Sequence, residues 1–354
     1  MKNGRSLVDL ACELERQLAT KRDMIVPTGL MHHETASDGT TSIRVETPDG
    51  LRTFRTTELF RRQVADKLKI PFAYFERMRT EQAGLLDRNV DTWLHHEPEL
   101  RMVRTLDGQA RAFLSDRYRR LDNYDLCDHV LPMLQQLPGA RFESTELTPT
   151  RLYLKVVTSR LQTEIQPGDI VQAGVVISNS EVGQGTLSVQ PLVYRLICSN
   201  GLIAADRAMR KTHVGRLSDA SVEAVTMFKD DTLQAEDKAF FLKVRDVVES
   251  AVSEATFHQI AEKMRRTMGI KLSGDPVRTV EAVGTRYLLN ETERSGLLRH
   301  LIEGGDLSAY GLVNAVTHFA QDVDDYDRAT EFEALGGRLL EQSKAEWDTL
   351  AEAA

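Results

Sequence analysis

The first hundred residues place their apolar side chains mainly at helical spacing. A helix over residues 5–20 is predicted by four leucines three or four positions apart: Leu7, Leu10, Leu14 and Leu18. Between residues 41 and 57, apolar and polar positions alternate around Pro48-Asp49-Gly50, and Asp-Gly is typical of hairpin turns. Thr56 or Thr57 then provides an N-cap for a helix carrying Leu59, Val64 and Leu68.

Two further helices are predicted on either side of residue 80. Pro71 ends the preceding helix, because proline disfavours helical geometry in the residue before it. The second helix runs through Tyr74, Phe75 and Met78, and the third holds Leu85, Leu86, Val90 and Trp93. Residues 64–78 are compatible with a DNA-reading helix-turn-helix with Lys69 at the turn. They are also compatible with an ordinary helical hairpin that packs Leu68, Ile70 and Phe75 into the core.

Strand patterns dominate from residue 100 to residue 215. The candidate strands are residues 99–104, 110–114, 141–145, 151–157, 170–178, 186–196 and 209–214, interrupted by a helix near 124–137. A turn-rich loop over 179–185 joins two of them as a hairpin.

The chain becomes helical again from about residue 217. An apolar stripe at helical spacing comprises Phe240, Val244, Val247, Val248, Ala251 and Ala255. Shorter helices are expected around 295–303, 307–320 and 328–350. The predicted fold class is α+β, with a strand-rich antiparallel middle region, flanking helices and a mostly helical C-terminal region. The expected regions are 1–100 (helical, with a β-hairpin), 101–216 (strand-rich and basic) and 217–354 (acidic and helical).

Charge is distributed unevenly over these regions. The 354 residues carry a net charge of −8, with 45 basic and 53 acidic side chains. Residues 101–216 hold 15 basic and 11 acidic side chains, whereas residues 217–354 hold 15 and 26. A basic middle beside an acidic tail is compatible with nucleic-acid binding by the middle.

Composition also restricts the compartment. The three cysteines are odd in number and far apart, which argues against a disulfide framework or structural zinc: Cys12, Cys127 and Cys198. No apolar run approaches the roughly 18 residues of a membrane span. Acidic residues interrupt the N-terminal region where a signal peptide would need an apolar stretch. We therefore expect a cytoplasmic protein without membrane attachment.

The sequence contains weak candidates for catalysis and ligand binding, and each has a structural alternative. Cys198 and His213 could form a nucleophile and base, but Cys198 lies in an apolar run and is expected to be buried. His95-His96 has no partner at metal-ligand spacing. The acidic group Asp322, Asp324, Asp325 and Asp327 lacks the EF-hand pattern, and Gly183-x-Gly185 lacks the residues of a phosphate loop. We expect no catalytic residue, no metal and no cofactor.

A first basic cluster lies at residues 113–123. Its candidate binding residues are Arg117, Tyr118, Arg119 and Arg120. Arginine binds phosphate through two hydrogen bonds, and tyrosine offers a stacking surface for an unpaired base. The alternative is a solvated turn in which the arginines pair with Asp116, Asp122 and Asp125.

A second basic cluster follows the apolar run at 189–203. Asn200-Gly201 predicts a tight or left-handed turn there. The candidate phosphate-binding residues around this turn are Arg195, Arg207, Arg210, Lys211, His213 and Arg216, with only Asp206 opposing them. The alternative is an exposed strand and turn that pairs with the acidic C-terminal helices.

Several segments together form a recognisable pattern: residues 59–94, residues 112–119 with Leu121-Asp122-Asn123, Asn179-Ser180-Glu181-Val182-Gly183, Arg195-x-x-Cys198-x-Asn200-Gly201-Leu202 with His213, and Asn314-Ala315-Val316-Thr317. In these segments the chain resembles the phage- and plasmid-like proteins grouped as domain of unknown function 932. The resemblance implies a mobile genetic element with DNA-processing genes as neighbours, and it carries no catalytic residues. The strand-rich middle with its helix is also similar in architecture to single-strand annealing recombinases.

Together these patterns favour a non-catalytic protein that binds or anneals single-stranded DNA, with RNA as an alternative, and acts as a homo-oligomer. Three other functions remain open. They are a duplex-reading regulator that uses the 64–78 hairpin, a protein-binding or anti-defence module of a mobile element that uses the acidic helices, and an enzyme with an unrecognised site.

Overall fold

The fold of the computed structural model is α+β, as the sequence predicts. The structure describes residues 1–118, 120–204, 230–272 and 274–352, and these contain twelve α-helices and eleven strands in two sheets. The chain forms two compact units. The N-terminal unit comprises Ala11–Tyr124 and Ser180–Gly185, and the C-terminal unit comprises Met1–Leu10, Asp125–Asn179 and Thr186–Ala354.

The N-terminal unit contains a six-stranded sheet and three helices that pack on it. Its elements are the later part of α1 (Leu7–Thr20), then β1 (Arg22–Pro27), β2 (Met31–Thr35), β3 (Thr41–Thr47), β4 (Gly50–Thr56), α2 (Glu58–Lys67), α3 (Phe72–Glu81), α4 (Ala83–His96), β5 (Leu100–Leu106) and β6 (Gln109–Ser115). The strand order is β1-β5-β6-β4-β3-β2. All neighbours are antiparallel except β4 and β6, which pair in parallel at Arg55 and Thr56.

Local sequence signals in this unit produce the structures expected of them. The β3–β4 hairpin pairs Thr47 with Gly50, whose φ of 113° is one that L side chains rarely adopt. The side chain of Thr57 caps α2 by accepting a hydrogen bond from the Phe60 amide. Lys69, at the turn between α2 and α3, has a φ of 57°. Turn chemistry therefore fixes where these elements begin and end.

The buried stripe of α4 includes two of the four apolar residues that predict the helix, Leu86 and Val90. The side chains of Leu86, Val90 and Leu94 are buried at i, i+4 and i+8, whereas Leu85 and Trp93 are exposed. Because leucines occupy both position 85 and position 86, the sequence allows two alternative apolar stripes along this helix. Only the stripe that includes Leu94 has an apolar residue at every fourth position.

Strands β1 and β2 had no sequence prediction. Strand β1 pairs with β5 over its whole length, from Arg22 opposite Thr105 to Pro27 opposite Leu100. Strand β2 pairs with β3 and forms the other edge of the sheet. Both strands are only five or six residues long, and their charged and histidine positions obscure the alternation that marks a strand.

The C-terminal unit is a five-stranded antiparallel sheet with α-helices. Its elements after α5 (Asn123–Gln135) are β7 (Ala140–Leu147), β8 (Leu152–Glu164), β9 (Ile170–Asn179), β10 (Ser188–Arg195), β11 (Asn200–Ile203), α6 (Asp230–Ala251), α7 (Glu254–Met268), α8 (Pro276–Arg286), α9 (Glu291–Gly304), α10 (Ala309–Phe319), α11 (Tyr326–Leu340) and α12 (Lys344–Glu352). The strand order is β11-β10-β9-β8-β7, which confirms the predicted β9–β10 hairpin. The predicted strand at 209–214 lies outside the described residues.

Two predicted C-terminal helices are each divided in the structure. The stripe that ends at Ala255 is interrupted, because Ser253 caps a new helix by accepting from the Thr256 amide. The helix predicted over 328–350 is likewise α11 followed by α12. Ser343 and Glu346 exchange side-chain and backbone hydrogen bonds there, in the pattern of a capping box. In both places a local cap starts a new helix, although the apolar periodicity continues across the break.

Candidate functional site

The first basic cluster is only partly available for binding. Arg117 is exposed and forms no ion pair with a described residue, whereas Arg120 lies 3.6 Å from an oxygen of Asp23. Tyr118 is half-buried, and its hydroxyl donates a hydrogen bond of 2.8 Å to the Ser180 carbonyl. It packs against the apolar cluster of Met102, Ala112, Leu114 and Val182. Arg119 lies outside the described residues.

A buried charge network lies next to this cluster, centred on Arg104. The Arg104 side chain is fully buried, and its Nε and Nη2 donate to the two oxygens of Asp23 at 2.9 and 3.0 Å. Nη2 also donates to Asp122, and Nη1 donates to the Glu181 carbonyl at 2.9 Å. Each of the three guanidinium nitrogens therefore donates to a protein acceptor.

Glu181 forms the second centre of the network. Its carboxylate accepts hydrogen bonds from Lys21, Arg111 and the Asn123 amide, and only 4% of its side chain is exposed. It belongs to the segment Ser180–Gly185, whose Val182 carbonyl accepts from Gln63 at 2.8 Å. The Ser-Glu-Val-Gly loop is therefore held by buried ion pairs and backbone hydrogen bonds.

The pKa values around Arg104 follow from this packing. Burial alone would raise the pKa of Asp122, but the adjacent Arg104 guanidinium and the Lys21 ammonium hold it below its usual range. Burial raises the pKa of the Tyr118 phenol. The Asp122 carboxylate is thus ionised at neutral pH and balances part of the buried positive charge. Residues of both family-like segments, 112–123 and 179–183, take part in this network. Its ion pairs are structural.

A second cluster brings together the family-like motifs of the C-terminal unit. Nε and Nη2 of Arg195 donate to the two oxygens of Asp169 at 2.6 and 2.8 Å. The Tyr310 hydroxyl donates to the same carboxylate at 2.7 Å, and burial raises the pKa of this phenol. The charge of Arg195 is therefore neutralised by a side chain that is 2% exposed.

The turn expected at Asn200-Gly201 lies earlier in the chain. Residues 196–199 form the turn, and Ser199 is the left-handed residue, with a φ of 51°. Asn200 and Gly201 instead begin β11, opposite Arg195 and Tyr194. The space around Gly201 is tight: a Cβ there would lie 3.1 Å from Sδ of Met1 and 3.4 Å from Cδ of Glu333. The turn predicted at Asn200-Gly201 is thus formed by the four residues before it, and Asn200 and Gly201 are themselves strand residues.

Asn200 joins this turn to α10. Its Nδ2 lies 3.4 Å from the Asn314 carbonyl and 3.5 Å from Oγ1 of Thr317. Gln321 donates to Oδ1 of Asn200 at 2.7 Å and to the Cys198 carbonyl at 2.9 Å. Two motifs more than 110 residues apart in the sequence thus meet in one hydrogen-bonded cluster, which fixes the start of β11.

Cys198 is more accessible than predicted. It is half-buried in the turn, where its Sγ lies 3.5 Å from Nη1 of Arg195. The expectation of a buried cysteine assumed that the apolar run continued as strand, whereas the run turns at residue 196. The thiol's proposed base, His213, lies outside the described residues, as do Arg207, Arg210, Lys211 and Arg216.

The other candidate motifs have structural contacts. In the 64–78 hairpin Glu76 pairs with Arg61 and Arg79 at 2.9 and 2.8 Å, and Phe75 is fully buried. The acidic group in the C-terminal unit is divided among different tasks. Asp322 pairs with His300 at 2.7 Å, Asp325 caps α11, and Asp327 accepts from Thr148.

No group of three potential metal ligands occurs within the described residues. Across that same part of the chain, no helix combines the length and apolar character needed to cross a membrane.

Comparison with known proteins identifies the family of this chain. The family model described as domain of unknown function (DUF932) matches residues 112–341, from β6 to the residue after α11. The chain therefore belongs to this family. No curated protein and no solved structure matches it.

Proposed function

We propose that this protein binds single-stranded nucleic acid, foremost DNA, without catalysing a reaction, and that residues 207–216 are its principal phosphate-binding segment. It acts as a homo-oligomer, because one protomer offers contacts to only a few nucleotides. Its setting is a phage or plasmid and the annealing or maintenance of that element's DNA in the cytoplasm. Free thiols at all three cysteines are compatible with such a reducing compartment.

The place of this segment in the sequence, shortly after a braced strand, carries the proposal. Strand β11 is an edge of the five-stranded sheet, and the Ala204 amide donates to the Pro191 carbonyl at 2.9 Å as the strand ends. Four cations follow within residues 207–216, with Asp206 as the nearest acidic residue in the sequence. Cations in such density attract a phosphate backbone and release its counterions.

Arg195 and Asn200 take a supporting role in this proposal. The Arg195 charge is neutralised by Asp169, so it contributes little attraction for phosphate. Asn200 is held by Gln321 and Thr317. Both residues fix the strand from which the basic segment continues. In the N-terminal unit Arg117 retains a binding role, because it is exposed and forms no described ion pair.

Fluorescence anisotropy with labelled oligo-dT and a duplex of equal length tests the proposal. We expect tighter binding to the single strand and an affinity that falls steeply with salt. Arg210→Ala/Lys211→Ala should weaken binding at every sequence and flatten the salt dependence by about one counterion per lost contact. The matched control is Lys243→Ala/Arg266→Ala, which removes two exposed cations elsewhere and should bind like the wild type.

Two outcomes would overturn the proposal. One is equal affinity for both forms of DNA, which favours a duplex-reading regulator. The other is no binding even at low salt, which favours a protein-binding module.

A further inference from the structure

Two aromatic side chains on neighbouring helices of the N-terminal unit are exposed to solvent. Tyr74 of α3 is 46% exposed and Trp93 of α4 is 51% exposed. Aromatic rings of this size usually bury most of their surface. Tyr118, the aromatic residue of the first basic cluster, is half-buried, and its hydroxyl is bonded. Tyr74 and Trp93 therefore offer ring surfaces that Tyr118 does not.

Contacts with β2 show that α3 and α4 run in opposite directions. Along α4, His95 contacts the Met31 carbonyl at 2.8 Å, and Asp87, two turns earlier, accepts from the Thr35 amide. Helix α4 is thus antiparallel to β2.

Helix α3 runs in the same direction as β2. The ring of Phe75 packs edge-on against the ring of His33, and Arg79 donates to the Gly39 carbonyl at 2.7 Å. The numbering of both segments therefore increases together, so α3 and α4 are antiparallel to each other.

The antiparallel arrangement places Tyr74 and Trp93 at the same end of the helix pair. Asn89 Nδ2 lies 3.9 Å from Sδ of Met78 where the two helices meet. Tyr74 is one turn before Met78, and Trp93 is one turn after Asn89, so each shares a stripe with its neighbour. Because the two helices are antiparallel, one turn back along α3 and one turn forward along α4 both lead toward the same end of the helix pair. We name this surface the Tyr74–Trp93 face.

Charges of both signs lie on and beside the helix pair. The carboxylates of Asp87 and Asp91 are hydrogen-bonded to the backbone amides of β2, and Glu76 pairs with two arginines. The exposed cations Lys69 and Arg88, in contrast, form no ion pair with any residue that the structure describes. The exposed carboxylates of Asp66 and Glu97 likewise form no ion pair with a described residue, so unpaired groups of both signs lie outside the hairpin.

We propose that the Tyr74–Trp93 face stacks the unpaired bases of single-stranded nucleic acid. The inference rests on the proposed function and identifies a second contact surface for the same ligand. Aromatic side chains next to cations are the usual platform for single strands, because every base presents a π surface.

Tryptophan fluorescence provides a direct test. The sequence has two tryptophans, and Trp347 is 1% exposed in α12, so a ligand reaches only Trp93. Saturating oligo-dT should quench the emission of the wild type, and this quenching should disappear in Trp93→Phe. Tyr74→Ala/Trp93→Ala should bind oligo-dT roughly tenfold more weakly, whereas Trp93→Phe retains most of the affinity because it keeps a ring.

Leu85→Ala is the matched control, because Leu85 is 40% exposed on the same helix and has no ring. Unchanged emission together with wild-type affinity of the double variant would overturn the stacking inference while leaving the proposed function intact. A wild type that binds no oligo-dT would overturn both. If the double variant instead changes the sedimentation coefficient without DNA, the face is a contact between copies of the chain, and the inference is wrong.

Discussion

Lys155 and Glu333 form an ion pair in which neither side chain is exposed. Nζ of Lys155 lies 2.7 Å from Oε2 of Glu333 and 3.0 Å from Oγ1 of Thr330. Burial lowers the pKa of the Lys155 ammonium, and the Glu333 carboxylate opposes that shift. The pair connects β8 with α11 behind Gly201, so one of the family-like motifs lies directly against it.

Breaking this pair from one side should be costly. We expect Glu333→Gln to lower the free energy of unfolding by about 3–5 kcal/mol, because it leaves a buried cation without its counter-charge. Lys155→Met/Glu333→Leu should recover most of that loss, since it removes both charges. Urea denaturation measures each value. Arg286→Ala at the exposed Arg286–Glu346 pair is the control and should change stability by less than about 1 kcal/mol.

Glu181→Gln tests whether the network around Arg104 is structural. The substitution keeps the shape of the side chain but removes the charge that balances Lys21 and Arg111. We expect a loss of about 3 kcal/mol in urea denaturation and unchanged affinity for oligo-dT in the folded protein. Glu58→Gln, at an exposed helical pair, provides the comparison. Lost DNA binding by a folded Glu181→Gln protein would indicate a role in the ligand site.

Local signals predicted much of the secondary structure correctly. Asp49-Gly50 located a hairpin, Thr57 located a helix start, and the sequence pattern of 170–196 located a strand pair. Each of these depends on a few adjacent residues, which is why a single sequence contains them. The same reasoning missed the helix breaks at Ser253 and Ser343, where a serine cap interrupts an apolar stripe that continues on both sides.

The charge clusters could not be predicted, because their members are distant in the sequence. Arg104 and Glu181 are 77 positions apart, and Asn200 and Thr317 are 117 apart. A sequence shows that these residues are charged or polar and leaves their partners undetermined. Arg195 therefore looked like a phosphate ligand, although Asp169 neutralises it. For Trp93 a signal did exist, since Leu86, Val90 and Leu94 define a stripe that excludes it.

Close packing of α11 on β11 makes Gly337 sensitive to substitution. A Cβ at this position would lie 1.9 Å from the Ile203 carbonyl oxygen, a backbone atom that cannot move independently. We expect Gly337→Ala to lower stability by about 1–3 kcal/mol through overpacking. Gly304→Ala is the control, because a Cβ at that position, at the end of α9, would have no neighbour within 4 Å. There, alanine should raise stability by up to about 1 kcal/mol. Equal melting temperatures for the two variants would contradict this packing argument.

The Asp87 carboxylate binds the edge strand β2, and we expect the stability that it contributes to depend on pH. Its carboxylate accepts from His33 Nδ1 and from the amide and hydroxyl of Thr35. Burial would raise the pKa of Asp87, but the hydrogen bonds from His33 and Thr35 hold it below the usual value. Because the folded pKa is lower than the unfolded value of about 3.9, the stabilisation is complete above that pH and is lost as pH falls through the folded pKa.

Asp87→Asn should therefore be less stable than the wild type at neutral pH, and the difference should shrink in acid. Urea midpoints measured from neutral pH to about pH 3 provide the measurement. Exchange of the Thr35 amide proton should also accelerate in the variant, because the carboxylate no longer accepts from it. A stability difference that stays constant down to the acid limit would show that Asp87 acts through packing alone.

Arg195 and the pair Arg210 and Lys211 should behave in opposite ways if their roles are as proposed. Arg195→Ala leaves the buried Asp169 carboxylate and the Tyr310 hydroxyl without their cation, so we expect a loss of about 3 kcal/mol in unfolding free energy. At temperatures where this variant is folded, its affinity for oligo-dT and its salt dependence should remain close to the wild type, because the lost charge was already neutralised. Arg210→Ala/Lys211→Ala should instead melt like the wild type and bind more weakly. Thermal denaturation and anisotropy on the same preparations measure both properties. If Arg195→Ala weakens binding as much as the double variant does, Arg195 is itself a phosphate ligand, and its ion pair with Asp169 opens when the strand binds.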